Sequence, residues 1–289
     1  MSRYENLRRI QQLDPLTDCC QIVHIFSGYE FPWDITRSLE IALFRTYCIP
    51  SISALLDKTG EFRHRPQKRY DDTSLIVAEI MKSGYDSDRG REAIRRMNYM
   101  HGKFNISNAD FLYVLSTLVY EPIRWCDRFG WRQTCEQERL ANFYFWREVG
   151  LRMQIQNIPE TYAEFEQYNL NYEREHFHYS DTNRRLGESS RDLFLSWFPS
   201  FLRPMLKPSV YAILDERMRD AFGFPHPPQF LTWLATTSLK MRGQLLRLFP
   251  PRKQPSFFTD SHQRSYPNGY QLTDLGPPHM LDALNQHQQ

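Results

Sequence analysis

Glycine is scarce, at 12 of 289 residues, and no Asn-Gly turn sits between alternating strands in the body of the chain. A β-hairpin architecture is thereby excluded. No apolar run approaches the roughly 18 residues that a membrane-crossing helix needs. The longest are FLYVLSTLVY (111–120) and LFLSWFPSFL (193–202), both of a length for buried helix. The second, with Pro199, Arg203 and Lys207, also has the makings of a segment resting on a membrane surface. Neither charge sign dominates: 36 Lys and Arg face 34 Asp and Glu. The arginines are scattered among acids rather than gathered in a stripe, so no nucleic-acid partner is expected. Five cysteines without a CxxC spacing give neither a disulfide framework nor a structural zinc site. The N-terminal MSRYENLRRIQQL is charged and lacks the apolar stretch of a signal peptide. A cytoplasmic or peripherally membrane-associated protein is expected. The glycine-rich phosphate loop, the Gly-x-Ser-x-Gly elbow and the His-Glu-x-x-His zinc pair are missing too, which leaves the common kinase, hydrolase and zinc-protease chemistries without support.

What is present is aromatic and helical. Twenty Phe, 16 Tyr and 6 Trp favour a wide core or an apolar pocket. Helical spacing of apolar residues recurs along the chain. PWDITRSLEIALFRTYCIP has Asp34 as an N-cap and Pro50 as a stop, and SISALLDKTG closes at Gly60. DDTSLIVAEIMKSG opens on acids that could cap it. SDRGREAIRRMNYMHG runs from Ser87 to Gly102. SNADFLYVLSTLVYEPIRWCDRFG carries Pro122, expected to kink it after Tyr120. Thr134 and Gln137 form a capping box for the next helix, and Pro159 begins another. After Pro251 the composition turns to Pro, Gln and His without periodicity. The fold class is therefore all-α: one multi-helix domain over residues 1–252 around an apolar pocket, with 253–289 a poorly ordered tail.

The stretch RRMNYMHG (95–102) concentrates polar groups where the helix is partly buried. At about 100° per residue, Arg95, Asn98 and His101 share a sector, while Ile94, Met97 and Met100 mark a buried face. A solvated helix end with a favourable cation at its C-terminus is the simplest account. A second feature is YEREHFHY, in which Glu173 and His176, and Glu175 and His178, are three apart. That is the unit of carboxylate-bridged di-iron bundles. The other such pair, Glu61 and His64, lies in a stretch that reads as loop. Glu121 with Arg124 or Arg128, and Arg132, Glu138 and Arg147 together, read as structural ion pairs.

Taken in order, RRMNYMHG, SNADFLYVLSTLVYEPIRW, FGWR, FWREVGLRM and IPETYAEFE resemble the fungal and bacterial MpaB-type oxygenase family. FPWDITRSLEIALFRTYCIPSISALLDKTGEF and KRYDDT upstream, and YEREHFHYSDTN and FPHPP downstream, extend the resemblance over about residues 12 to 252. The resemblance implies the helical fold of the latex-clearing rubber oxygenases. It implies a membrane-associated oxygenase that cleaves a carbon–carbon double bond in a prenyl chain, with haem b and dioxygen as partners. In that scheme a histidine on one buried helix is the axial ligand, and an arginine and a hydroxyl on the preceding helix lie near oxygen. Arg95 or Arg96, with Asn98 and His101, would be the groups beside oxygen, and Met97, Met100, Tyr113 and Trp125 would line the apolar wall. The chain departs from the pattern at one place: Leu115 stands where the axial histidine is expected. His101 and His176 are the substitute ligands. The resulting reading is an oxygenase acting on a long apolar, prenyl or lipid-like substrate. The alternative is a helical lipid-binding or scaffold domain that has lost its metal.

Overall fold

The computed structural model describes residues 2–281, which contain no strand. Among these described residues fourteen α-helices follow one another: α1 Glu5–Ile10, α2 Cys19–Ile25, α3 Pro32–Thr46, α4 Pro50–Thr59, α5 Glu61–His64, α6 Pro66–Ser83 and α7 Asp88–His101. They continue as α8 Asn108–Phe129, α9 Glu136–Arg152, α10 Tyr162–His176, α11 Asp181–Ser196, α12 Arg203–Ile213, α13 Glu216–Phe222 and α14 Gln229–Leu246.

Helix α8 carries the apolar run FLYVLSTLVY, and such a run must be covered. It is: Leu112, Leu115, Val119, Ile123 and Cys126 are all buried. Helix α3 packs along it, α9, α10 and α14 contact its other sides, and α2 backs α9 while α6 lies against α7. A second cluster joins the end of α3 to α11 and α13 through Phe44, Tyr47, Leu186, Met218 and Phe222. Gly187 permits this approach, because a Cβ there would sit 2.7 Å from the Phe222 ring.

Several helix ends form as their residues dictate. Ser87 accepts from Gly90 N–H to cap α7, and Ser107 accepts from Asp110 N–H to cap α8. Gly60 closes α4 in the left-handed region, at φ 73°. Others differ from expectation. Asp34 is not a cap but a buried first-turn residue of α3, taking Trp125 Nε1–H at 3.2 Å and Arg242 at 2.8 Å. Pro66, not the acids of KRYDDT, opens α6. Pro122 lies within α8 without ending it. The α9 cap is Cys135, whose N–H donates to Glu138 at 2.9 Å, while Thr134 bonds Asp127. Thr161 and Glu164 cap α10, so that helix starts at Tyr162, past the Pro159 expected to open it. The stretch expected as loop at Glu61–His64 is a single helical turn.

The segment after Pro251 departs most from the sequence expectation. Its described residues, up to 281, lie across α6 and α7, and residues 282–289 of the expected tail lie outside the described residues. Ser265 N–H donates to Asp71 at 2.9 Å and Gly276 N–H to Asp72 at 3.1 Å, while Leu275 is fully buried. Arg96 donates Nε–H to the Leu275 carbonyl and Nη2–H to the Thr273 carbonyl, each at 2.5 Å. Tyr270 O–H donates to Glu79 at 2.5 Å. The segment is held in two ways: Leu272 and Leu275 join the main core with Phe258, Tyr266 and Tyr270 packed against it, and buried acids on α6 and one arginine on α7 find partners on it. Truncation after Lys253 is expected to lower the unfolding free energy by about 3 kcal/mol or more, since several buried polar groups lose partners at about 1–3 kcal/mol each. A urea midpoint equal to that of the full chain would contradict this.

Candidate functional site

Helix α7 separates the polar groups that the helical wheel puts together. Arg95 is exposed and pairs with Glu92 one turn back. Arg96 is buried, but its guanidinium holds the C-terminal segment. Asn98 donates Nδ2–H to the Arg152 carbonyl at 2.8 Å, tying α7 to the end of α9. These three are thus engaged in a surface pair, a tail anchor and a helix tie.

His101 is different. Its ring meets Phe111 edge-on at 5.4 Å, and its buried Nδ1 has no hydrogen-bond partner. Burial, and then the charge of Arg69, push its pKa down to about 4. The imidazole is therefore neutral at pH 7 with an unused ring nitrogen, which is the form that binds a metal. Met97 and Met100 pack against the main core nearby in sequence. Leu115 is buried against α9: a Cβ on Gly150 would lie 2.5 Å from it. His176, the last residue of α10, is half-buried on the Tyr172 ring at 4.0 Å. Among the described residues no three His, Cys, Asp or Glu side chains converge as a metal site. The di-iron pattern is taken up otherwise, since Glu173 pairs with Arg45 and Glu61 with Arg65.

The main concavity lies elsewhere, between α3, α6, α11, α12 and α14. It has a volume of about 460 Å³, within the range that small-molecule sites use. Its walls are Trp33, Phe44, Trp125, Phe194, Phe198, Ile213 and Leu239. Trp125 lines this cleft, which none of Met97, Met100 and His101 lines; Tyr113 does not line it either, being stacked on Tyr172 and bonded to Glu173 at 3.1 Å. A smaller cavity of about 40 Å³ adjoins, among Leu39, Val77, Met81 and Leu118. That is room for no more than a few water-sized molecules. Glu40 and Leu43 line both cavities.

Glu40 accepts the Tyr70 hydroxyl and pairs with Arg37 at 2.7 Å. Burial raises its pKa to about 7, against the opposing pull of Arg37 and Tyr70. Arg69 and Arg191 also line the cleft, and Arg191 bonds Asp192 and Tyr211. The cleft is greasy with a polar corner. Because the folded pKa of Glu40 is raised, its contribution to stability is full below about pH 4.5 and is lost as pH rises through about 7. Glu40→Gln is therefore expected to gain about 2 kcal/mol on the wild type between pH 5 and pH 8. Urea midpoints of both proteins at the two pH values check it; parallel curves would count against the buried carboxyl.

One polar site escaped the sequence. Arg45, at the end of α3, donates to both oxygens of Glu173 on α10, to Asp215 before α13, and lies 3.5 Å from Glu121 on α8. Glu121 also holds Arg124 at 3.0 Å, and Asn169 links Arg124 to Ser116. The available signal is a lone arginine in the apolar run IALFRTYCIP. Arg132 likewise bridges the buried Glu30 and Glu138, at 2.8 and 2.6 Å.

The described residues form a helical domain without strands that carries an apolar cleft walled by aromatic side chains. Residues 41–246 match the family described as ER-bound oxygenase mpaB/B'/Rubber oxygenase, catalytic domain. The chain belongs to that family. It is 26% identical to the ER-bound oxygenase mpaB' of Penicillium brevicompactum, over 86% of this chain and 74% of that one. Identity to the ER-bound oxygenase mpaB of Penicillium roqueforti (strain FM164) is 27%, over 76% of this chain and 83% of the other. It reaches 37% with mpaB of P. brevicompactum over a shorter stretch, 42% of this chain and 32% of that protein. Among solved structures, the latex clearing protein LCP in its closed state is similar at a TM-score of 0.46 and 15% identity, covering 86% of this chain and 74% of that one. Membership makes an oxidoreductase of the oxygenase kind the activity of the family, with dioxygen and a small molecule as its reactants.

Proposed function

We propose that this chain is an oxygenase for a long apolar molecule, prenyl or lipid-like, bound in the cleft between α3 and α12. The observation that carries the reading is the cleft itself: about 460 Å³ walled by aromatic and aliphatic side chains, with Glu40, Tyr70 and Arg69 at its polar edge. Apolar walls take up a hydrocarbon chain by removing its surface from water, at about 25 cal/mol per Å² buried. The few polar groups fix which end enters.

Haem b is the cofactor proposed. The donor chemistry fits at His101, whose buried Nδ1 is unpaired and whose ring stays neutral; His101 lines neither described cavity, so haem there requires the contact with Phe111 to open. His101 would hold the iron, and haem iron when bound supplies the binding and activation of dioxygen. Phe111 meets the ring edge-on, and that nitrogen is closed to solvent. His176 is the lesser candidate, since its ring already rests on Tyr172. Cleavage of a carbon–carbon double bond in the bound chain is the proposed outcome.

Leu115, packed against Gly150 at the position where the resembling haem proteins carry their ligand, favours the other reading: a helical lipid-binding domain without metal. The two part at one experiment. Purified protein is titrated with haem, and dioxygen uptake is followed with a prenylated aromatic substrate. Stoichiometric haem binding and substrate-dependent uptake are expected. Binding of the apolar molecule without haem binding or uptake would establish the carrier instead.

A further inference from the structure

Helices α12 and α14 present an apolar face with no protein over it. On α14, Phe230, Trp233, Leu234, Met241 and Leu245 are exposed, and Leu248 just beyond is 81% exposed. At about 100° per residue these six fall in one stripe about 120° wide. Phe201 and Met205, at the start of α12, are exposed too, and α12 packs directly on α14. Isolated exposed apolar residues need no explanation, but a continuous stripe of this size marks an interaction surface.

The charges around it identify the occupant. From 198 to 214, and again from 223 to 253, the chain contains no Asp or Glu. The same stretches hold Arg203, Lys207, Lys240, Arg247, Arg252 and Lys253, all exposed. Lys240 and Arg247 lie on one flank of the stripe. Among the described residues none of Lys207, Lys240 and Arg247 forms an ion pair, whereas Arg242 between them pairs with Asp34. Elsewhere in this chain basic and acidic residues are nearly balanced, so the local bias stands out. A Trp/Phe/Leu stripe edged by cations and free of acids is what an interfacial helix offers to an anionic bilayer. A protein partner has no need for an unbroken absence of carboxylates.

We infer that the α12–α14 face docks on an anionic lipid surface, with the stripe in the acyl boundary and Lys240 and Arg247 at the headgroups. No single described helix is long and apolar enough to cross a membrane. The inference deepens the reading of the cleft, which it takes as its starting point: Val210 and Ile213 of α12 and Leu239 of α14 are also cleft walls. An apolar substrate dissolved in the bilayer would then reach the cleft along the helices that touch the lipid.

The test needs neither haem nor substrate, so its failure is distinct from failure of the oxygenase reading. The full chain is sedimented with phosphatidylcholine vesicles, with and without phosphatidylserine. The wild type is expected to partition onto the anionic vesicles and to be released by salt. Phe230→Ser/Trp233→Ser/Leu248→Ser should lower the partition coefficient at least tenfold. Lys240→Glu/Arg247→Glu should do so on anionic vesicles alone. All five positions are exposed, and an unchanged urea midpoint confirms that each variant folds. No vesicle binding by the wild type, or equal binding by the triple variant, overturns the inference. So does a lipid-free dimer that the triple variant dissociates while vesicle binding is absent, which would make a second copy of the chain the occupant.

Discussion

Arg45→Met is expected to cost about 3–5 kcal/mol of unfolding free energy, the range for removing one partner of a buried ion pair. The guanidinium sits among Glu173, Asp215 and Glu121 and is itself nearly covered. Burial alone would lower its pKa; the Glu121, Glu173 and Asp215 carboxylates outweigh that and raise it. With methionine there, Glu173 is left in the interior with only Tyr113 O–H as donor. Burying an unpaired carboxylate is what makes the loss large, not the attraction forgone. It follows that Arg45→Met/Glu173→Met should be less damaging than Arg45→Met alone, because the orphaned charge goes too. Arg45→Lys should fall between, keeping the charge and losing the two-pronged geometry. Urea unfolding of these variants, of Glu173→Met alone and of the wild type at pH 7 decides the order. A double variant as unstable as the sum of its parts would mean that the two residues do not act as a pair.

That network shows where sequence reasoning stops. Local signals were legible: Ser87 as the start of α7, Gly60 as a terminator, and the apolar run FLYVLSTLVY as buried helix in α8. Each depends on residues within a turn or two of one another. Arg45 and Glu173 are 128 positions apart, and nothing near either names the other. The same holds for Arg96, which the family resemblance offers as a cation beside oxygen and whose guanidinium grips carbonyls 177 and 179 positions away. The C-terminal segment misled in the opposite way. Its composition is that of a tail, yet it answers the needs of Asp71, Asp72 and Glu79, which are visible only once α6 is placed. Glu40 is hidden for a further reason: EIALF gives no hint that the carboxyl will stand between two cavities.

For the proposed haem site the largest expected effect comes from His101→Ala. Haem affinity should fall by more than the roughly 10–100-fold that loss of an outer partner costs at a metal site, because here the ligand itself goes. His176→Ala should bind haem as the wild type does. Stability gives an independent reading of the same side chain. The folded pKa of His101 is depressed to about 4 by burial and by Arg69, so its contribution is present above about pH 6.5 and is lost as pH falls towards 4. In the metal-free chain, His101→Leu should therefore resist acid better than the wild type, by about 3 kcal/mol near pH 4. A buried neutral imidazole predicts the gain in acid stability, and only a metal ligand predicts the loss of haem. If His101→Leu gains acid stability while His101→Ala still binds haem tightly, the ring is a core residue and the iron ligand lies elsewhere.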